Sequence, residues 1–106
     1  MELKKRIYSK EIKERLEEFV NKEIIVSGWV EEIRDLGSIK FIVLRDREGY
    51  IQLCLKKGKV PNEIIEKVKG ITRESVLAAS GIVINNKIAP NGFEIFPNEI
   101  EILSPA

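Results

Sequence analysis

Three side chains between positions 41 and 52 could act together on an unpaired nucleotide: the Phe41 ring, the Arg45 guanidinium and the Gln52 amide. An aromatic ring stacks on a splayed-out base. A primary amide offers that base's edge both a donor and an acceptor, and a guanidinium meets phosphate in a fork. Other chemistries are poorly supplied. There is no histidine, so the commonest general base and metal ligand is missing. Cys54 is the only cysteine, which leaves zinc without a ligand set and the chain without an internal disulfide. No glycine-rich phosphate loop follows a strand. Asp35 and Asp46 sit beside arginines in turns and are expected to be salt-bridged turn residues rather than an acid–base pair. No catalytic residue, metal or cofactor is expected.

The elements that must position the three side chains follow from periodicity. Of the 106 residues, 43% are hydrophobic and 33% charged, and the net charge is +1. That is the composition of one globular domain, 1–106, whose nucleic-acid chemistry would rest on local charge placement. Ile12, Leu16, Phe19 and Val20 share a stripe at helical spacing, which predicts an N-terminal helix over 9–20 with Ser9 as its N-cap. The pattern then turns to strands, and a barrel is expected over 23–103. Its strands are 23–33 (with Gly28 inside), 39–46, 50–55, 74–84 (with Gly81 inside) and 93–103, the last interrupted at Pro97. Pro61 and Asn62 open a second helix, 63–69, ended by Gly70. Five strands with a helix between the third and fourth is the order of the OB-fold, a mainly β, five-stranded barrel.

Parity fixes which residues share a face. If residues 46–49 form the hairpin loop, Arg45 pairs Tyr50, Val43 pairs Gln52 and Phe41 pairs Cys54, and opposed residues point the same way. Ile42, Leu44, Ile51, Leu53 and Leu55 then form a uniformly aliphatic face, which must be the barrel interior. Phe41, Arg45 and Gln52 stand on the outside of the second and third strands, where OB-folds hold oligonucleotides. The competing reading of Phe41 is packing beneath the N-terminal helix, and Gln52 alone would be a solvated surface residue. Trp29 is expected to pack under a loop rather than to join this face. The basic start (Lys4, Lys5, Arg6, Lys10, Lys13) and the loop Lys56, Lys57, Lys59 are either phosphate contacts or solvated faces.

The run Gly28-Trp29-Val30, Arg34-Asp35-Leu36-Gly37, Phe41, Arg45-Asp46, Gly49 and Gln52, written out as GWVEEIRDLGSIKFIVLRDREGYIQ, resembles the anticodon-binding domain of archaeal-type aspartyl-tRNA synthetases, in the aspartyl/asparaginyl/lysyl group of class II enzymes. The later strings SVLAASGIV and APNGFEI fit as well, so the resemblance spans nearly the whole chain. It implies that Phe41 stacks on the middle anticodon base, a uridine, and that Gln52 hydrogen-bonds it. Arg34 would contact anticodon-loop phosphate or base, and Glu94 would face the first anticodon base, a guanosine. In the archaeal relatives, the residue after GWV and the residue two before the glycine of GFE separate aspartate-only from relaxed enzymes. These are Glu31 and Pro90. Pro90 follows the relaxed or asparaginyl pattern. Glu31 departs from both the Trp and the His of the family, and an acid there is expected to weaken contact with an RNA backbone.

Complete synthetases of this group continue into a catalytic domain with the class II motifs. The chain stops at Ser104-Pro105-Ala106, where the linker to that domain would begin. The expected function is binding of the tRNA anticodon loop (tRNA-Asp and tRNA-Asn), as the recognition module or a free-standing paralogue of an aspartate–tRNA ligase. Aminoacylation by this chain alone is not expected. The resemblance also implies a weak homodimer or association with a synthetase catalytic domain. Two alternatives stay open: a general single-stranded nucleic-acid binder, and a protein-interaction module partnering a full synthetase. One cysteine, no apolar run long enough to span a bilayer and a charged start together suggest a cytoplasmic protein.

Overall fold

In the computed structural model, which describes residues 1–105, the β-branched run after Lys22 forms one long strand, β1 (Glu23–Asp35). Its first half pairs antiparallel with β4 (Val76–Asn85) and its second half with β2 (Ile39–Asp46). Trp29 is the changeover residue, opposite Val76 on one side and Arg45 on the other. A bulge between Val30 and Glu32 bends the strand at this point. Gly28 belongs to the bend, because a β-carbon there would lie 2.6 Å from the Arg45 carbonyl oxygen. The remaining strands are β3 (Gly49–Lys56) and β5 (Phe93–Ser104). β5 runs parallel to β3 and antiparallel to β4, which closes the order β1-β2-β3-β5-β4 into a barrel. The fold is the five-stranded OB architecture expected from the element order.

The hairpin register is the one parity predicts: Arg45 opposes Tyr50, Val43 opposes Gln52 and Phe41 opposes Cys54. Ile42, Leu44, Ile51, Leu53 and Leu55 are all buried in the core with Val26, Val30, Leu77, Phe93, Ile95 and Ile100. β5 is not interrupted at Pro97. It continues to Ser104, with a register shift opposite Ser80 and Gly81. Gly81 has no room for a β-carbon, which would sit 2.4 Å from the Phe96 carbonyl oxygen, and this close approach lets the strand turn there without ending. β4 begins at Val76, two residues later than expected. Glu74 is left-handed (φ 71), and its N–H and the Ser75 carbonyl bond to the Val30 carbonyl and N–H.

Helices plug opposite ends of the barrel. The N-terminal helix is two short segments, α1 (Ser9–Glu14) and α2 (Leu16–Phe19), broken at Arg15. The break lets Ile12 enter the core while Val20 bridges to Val83 of β4. α3 (Asn62–Lys67) lies where β3 stops and buries Ile64, with Val68 just beyond its end. Ser9 is the first helical residue, not the N-cap. Tyr8 holds the cap position without a side-chain bond, and the missing acceptor comes from a distant element. The buried Asp46 carboxylate accepts from the Ser9 N–H and hydroxyl (both 2.7 Å) and from the N–H groups of Glu48 (2.8 Å) and Gly49 (2.9 Å). Asp46 is therefore a clamp between the hairpin loop and α1 rather than a salt-bridged turn residue. Asp35 is exposed, 3.8 Å from Lys40 Nζ, and accepts from the Gly37 N–H.

Replacing Asp46 by Ala strands the two buried Ser9 donors and removes the acceptor of the Glu48 and Gly49 N–H groups. The Asp46→Ala variant is expected to lose about 2–3 kcal/mol of unfolding free energy. Its extra hydrogen exchange should concentrate in Ser9–Phe19, as read by denaturant titration and amide exchange.

Candidate nucleic-acid interface

The outer face of the barrel is organised in cross-strand rows. Arg34 of β1, Phe41 of β2 and Cys54 of β3 form one row. Glu32, Val43, Gln52 and Glu94 form the next, reaching β5. Trp29, Arg45 and Tyr50 form a third. Phe41 is half-buried on this face, and the Arg34 guanidinium lies 5.9 Å from its ring centroid. Among the described residues no carboxylate comes within 4.0 Å of the Arg34 guanidinium, which leaves its charge available beside the ring.

Gln52 stands on the outer face, as its register requires, but it is not open. It is only 8% exposed and Glu94 only 6%, and the Gln52 amide donates to Glu94 Oε2 at 3.1 Å. The two are one unit, brought together by the Gln52–Glu94 pairing of β3 with β5. Engaged this way, the pair keeps an amide oxygen, a second amide hydrogen and a carboxylate oxygen. Those atoms can accept from ring N–H groups and donate to a base carbonyl.

Cys54 completes this neighbourhood, 2% exposed beside Phe41. Burial pushes its thiol up to about 11, and the Glu94 carboxylate adds to the shift while Lys56 opposes it. The thiol is therefore a neutral apolar wall at neutral pH.

The third row is flanked by the two residues that the resemblance ties to tRNA choice. Glu31 lies at the β1 bulge and is not an unopposed acid. Its carboxylate is 3.1 Å from Arg45 Nη1 and 4.0 Å from Arg73 Nη2, and Arg73 Nε donates to its carbonyl. Arg45 is likewise shared, with Glu74 at 3.5 Å and the Trp29 ring centroid at 5.4 Å. Arg45 is thus already engaged with two carboxylates, unlike Arg34. Pro90 opens the turn Pro90–Gly92, in which Asn91 is left-handed (φ 63) and donates from Nδ2 to the Tyr50 carbonyl at 2.8 Å. Glu31 therefore reaches Arg45 of this row, and the residue after Pro90 reaches its cross-strand partner Tyr50. Trp29 is 43% exposed, as is Tyr50. The expectation of a packed Trp29 fails because the changeover at this residue leaves its side chain on the outer face. The bulge that follows is visible in the sequence only as Gly28 beside it.

Residues 24–103, well over half the chain, match the family profile of the OB-fold nucleic acid binding domain of tRNA anticodon type. This chain belongs to the anticodon-binding OB-fold family. The domain is 54% identical over 82 residues to the aspartate–tRNA(Asp/Asn) ligase of Methanopyrus kandleri, a match covering 77% of this chain and 19% of that protein. It is 46% identical over 99 residues to the enzyme of the same name from Methanocaldococcus jannaschii, covering 93% and 22% respectively. Among solved structures it superimposes on asparaginyl-tRNA synthetase from Pyrococcus horikoshii with a TM-score of 0.83 and 31% identity, over 95% of this chain and 23% of that one. It also superimposes on OBody AM2EP06, solved bound to hen egg-white lysozyme (TM-score 0.78, 33% identity, 84% of this chain and 86% of that one). The OB-fold domain spans about a fifth of the length of the ligases it matches and does not include their catalytic domain. No helix among the described residues is long and apolar enough to cross a membrane.

The buried thiol of this OB-fold domain gives a pH signature. Its folded-state value is raised from 9.0 to about 11, so its contribution to stability is complete below about 9 and is lost as pH rises toward about 11. The unfolding free energy of the wild type should fall relative to Cys54→Ala across that window. Alkylation of native Cys54 at neutral pH should be far slower than after unfolding. A stability difference flat in pH would contradict the assignment.

Proposed function

We propose that this domain binds the anticodon loop of tRNA-Asp and tRNA-Asn, as the anticodon-recognition module of an aspartate–tRNA(Asp/Asn) ligase acting in the cytoplasm. The observation that carries the reading is the half-open Phe41 ring, with the Arg34 guanidinium 5.9 Å from its centroid and the Gln52–Glu94 pair in the adjacent row. A base stacked on Phe41 brings its edge toward the amide–carboxylate pair. There a uridine meets the amide's donor and acceptor, and a neighbouring guanine donates N–H groups to Glu94. The names of the archaeal relatives agree with this substrate class.

The electrostatics suit recognition more than strong attraction. Glu31, Glu32, Glu74 and Glu94 offset Arg34, Arg45 and Arg73 around the face, and the chain carries only +1 overall. Pro90 follows the relaxed pattern, and Glu31 is neutralised by its arginines rather than facing RNA as a bare charge. Both tRNAs are therefore accepted. A second reading, docking of a protein on this domain, is favoured by the likeness to OBody AM2EP06, which was solved bound to lysozyme.

Phe41→Ala should weaken binding of a hairpin carrying the anticodon loop by about 1–3 kcal/mol, the contribution of one stacked base. Replacing the central uridine of the loop should weaken the wild type comparably, and hairpins with the Asp and Asn anticodons should bind alike. Equal affinity for matched DNA and RNA, with no preference for the central uridine, would favour a general single-strand binder. No RNA binding by a folded Phe41→Ala and wild-type pair would favour the protein-docking reading.

A further inference from the structure

Beside Trp29 the outer surface dips into a groove of about 270 Å³ that the anticodon-base platform does not use. Its walls are Ser27–Trp29 of β1, Val76 of β4, Arg6 and Tyr8 before α1, and the hairpin residues Asp46 and Arg47. Two guanidinium groups bracket one aromatic ring here. Arg47 lies 4.2 Å and Arg6 5.3 Å from the Tyr8 ring centroid, and Arg6 Nε donates to the Tyr8 hydroxyl at 3.2 Å. Among the described residues no carboxylate lies within 4.0 Å of Arg6, and Arg47 has only Glu48, at that limit. Asp46 lines the groove too, but its oxygens are occupied by Ser9, Glu48 and Gly49.

Two guanidinium groups with little carboxylate pairing, set beside aromatic rings, match a phosphate and its base together. The groove is continuous with the platform through Trp29, which lines it and also stands in the Arg45–Tyr50 row. Arg45 lies four positions along β2 from Phe41, roughly 13 Å of strand. An RNA loop longer than the anticodon itself therefore reaches past the platform toward Trp29. We propose that this groove is a second RNA subsite, in which Arg6 and Arg47, held against Tyr8, take the phosphate and Trp29 the base of a loop nucleotide flanking the anticodon. The inference rests on the anticodon-loop reading above and extends its footprint.

Trp29 is the only tryptophan, so its fluorescence reports on the groove directly. The test titrates the full chain with a hairpin carrying a complete anticodon loop and with the bare anticodon trinucleotide. The wild type should show Trp29 quenching with the hairpin and little with the trinucleotide. Arg6→Gln/Arg47→Gln should weaken hairpin binding about tenfold, lower the salt slope by about 0.7 for each phosphate no longer neutralised, and leave trinucleotide affinity unchanged. Arg47→Gln alone, which leaves the segment before α1 untouched, should give part of the same weakening. Removing two charges elsewhere, in Lys22→Ala/Lys67→Ala, should not reproduce it. Phe41→Ala should weaken both RNAs. Wild-type hairpin affinity in the arginine variants, with Phe41→Ala still impaired, would overturn the subsite and leave the platform standing. Unimpaired Phe41→Ala with impaired arginine variants would overturn the platform and leave the groove.

Discussion

The short parallel contact between β3 and β5 is the constraint on which the rest depends. Only Gln52–Glu94 and Leu53–Ile95 are paired there, yet this contact turns an open sheet into a closed ring. Alternation does the rest. Leu53 and Ile95 point into the core and are fully buried, while Gln52 and Glu94 emerge side by side on the outside. A slip of one residue would turn the apolar pair outward and the polar one into the core. The hydrophobic burial that closes the barrel thus also fixes the geometry of the recognition pair.

The remaining devices serve the same end. Gly28 and Gly81 permit backbone approaches that no side chain would allow, at the two places where long strands turn around the barrel. Asp46 ties the hairpin loop to α1, so the loop beside Tyr50 and the segment carrying Tyr8 are held by one carboxylate. The site side chains come from strands rather than mobile loops, which keeps a stacking ring and a hydrogen-bonding pair in fixed relation. Opposed charges around the face keep non-specific attraction small, so in the proposed function discrimination rests on ring stacking and base-edge hydrogen bonds.

Much of this is legible in the residues. The hairpin face follows from alternation and loop length alone, because period two and a fixed loop determine parity. The family string then singles out Phe41, Gln52, Arg34 and Glu94 as a set. What cannot be read is non-local. The Gln52–Glu94 hydrogen bond joins residues 42 apart in sequence, and no pattern within either strand announces it. The exposure of Trp29 depends on which strand it pairs at the changeover, and the break at Arg15 depends on the barrel end that α1 and α2 must follow. Ser9 carries a correct signal of a helix start, but its capping carboxylate comes from Asp46, a residue of another element.

The most direct measurement is a map of backbone amide shifts in the labelled chain as a hairpin with a uridine at its loop centre is added. The largest changes should fall on Arg34, Phe41, Gln52 and Glu94, residues that share one outer face but come from β1, β2, β3 and β5. Changes confined to α3 and β4, with those four amides unmoved, would contradict a recognition face built on the β3–β5 closure.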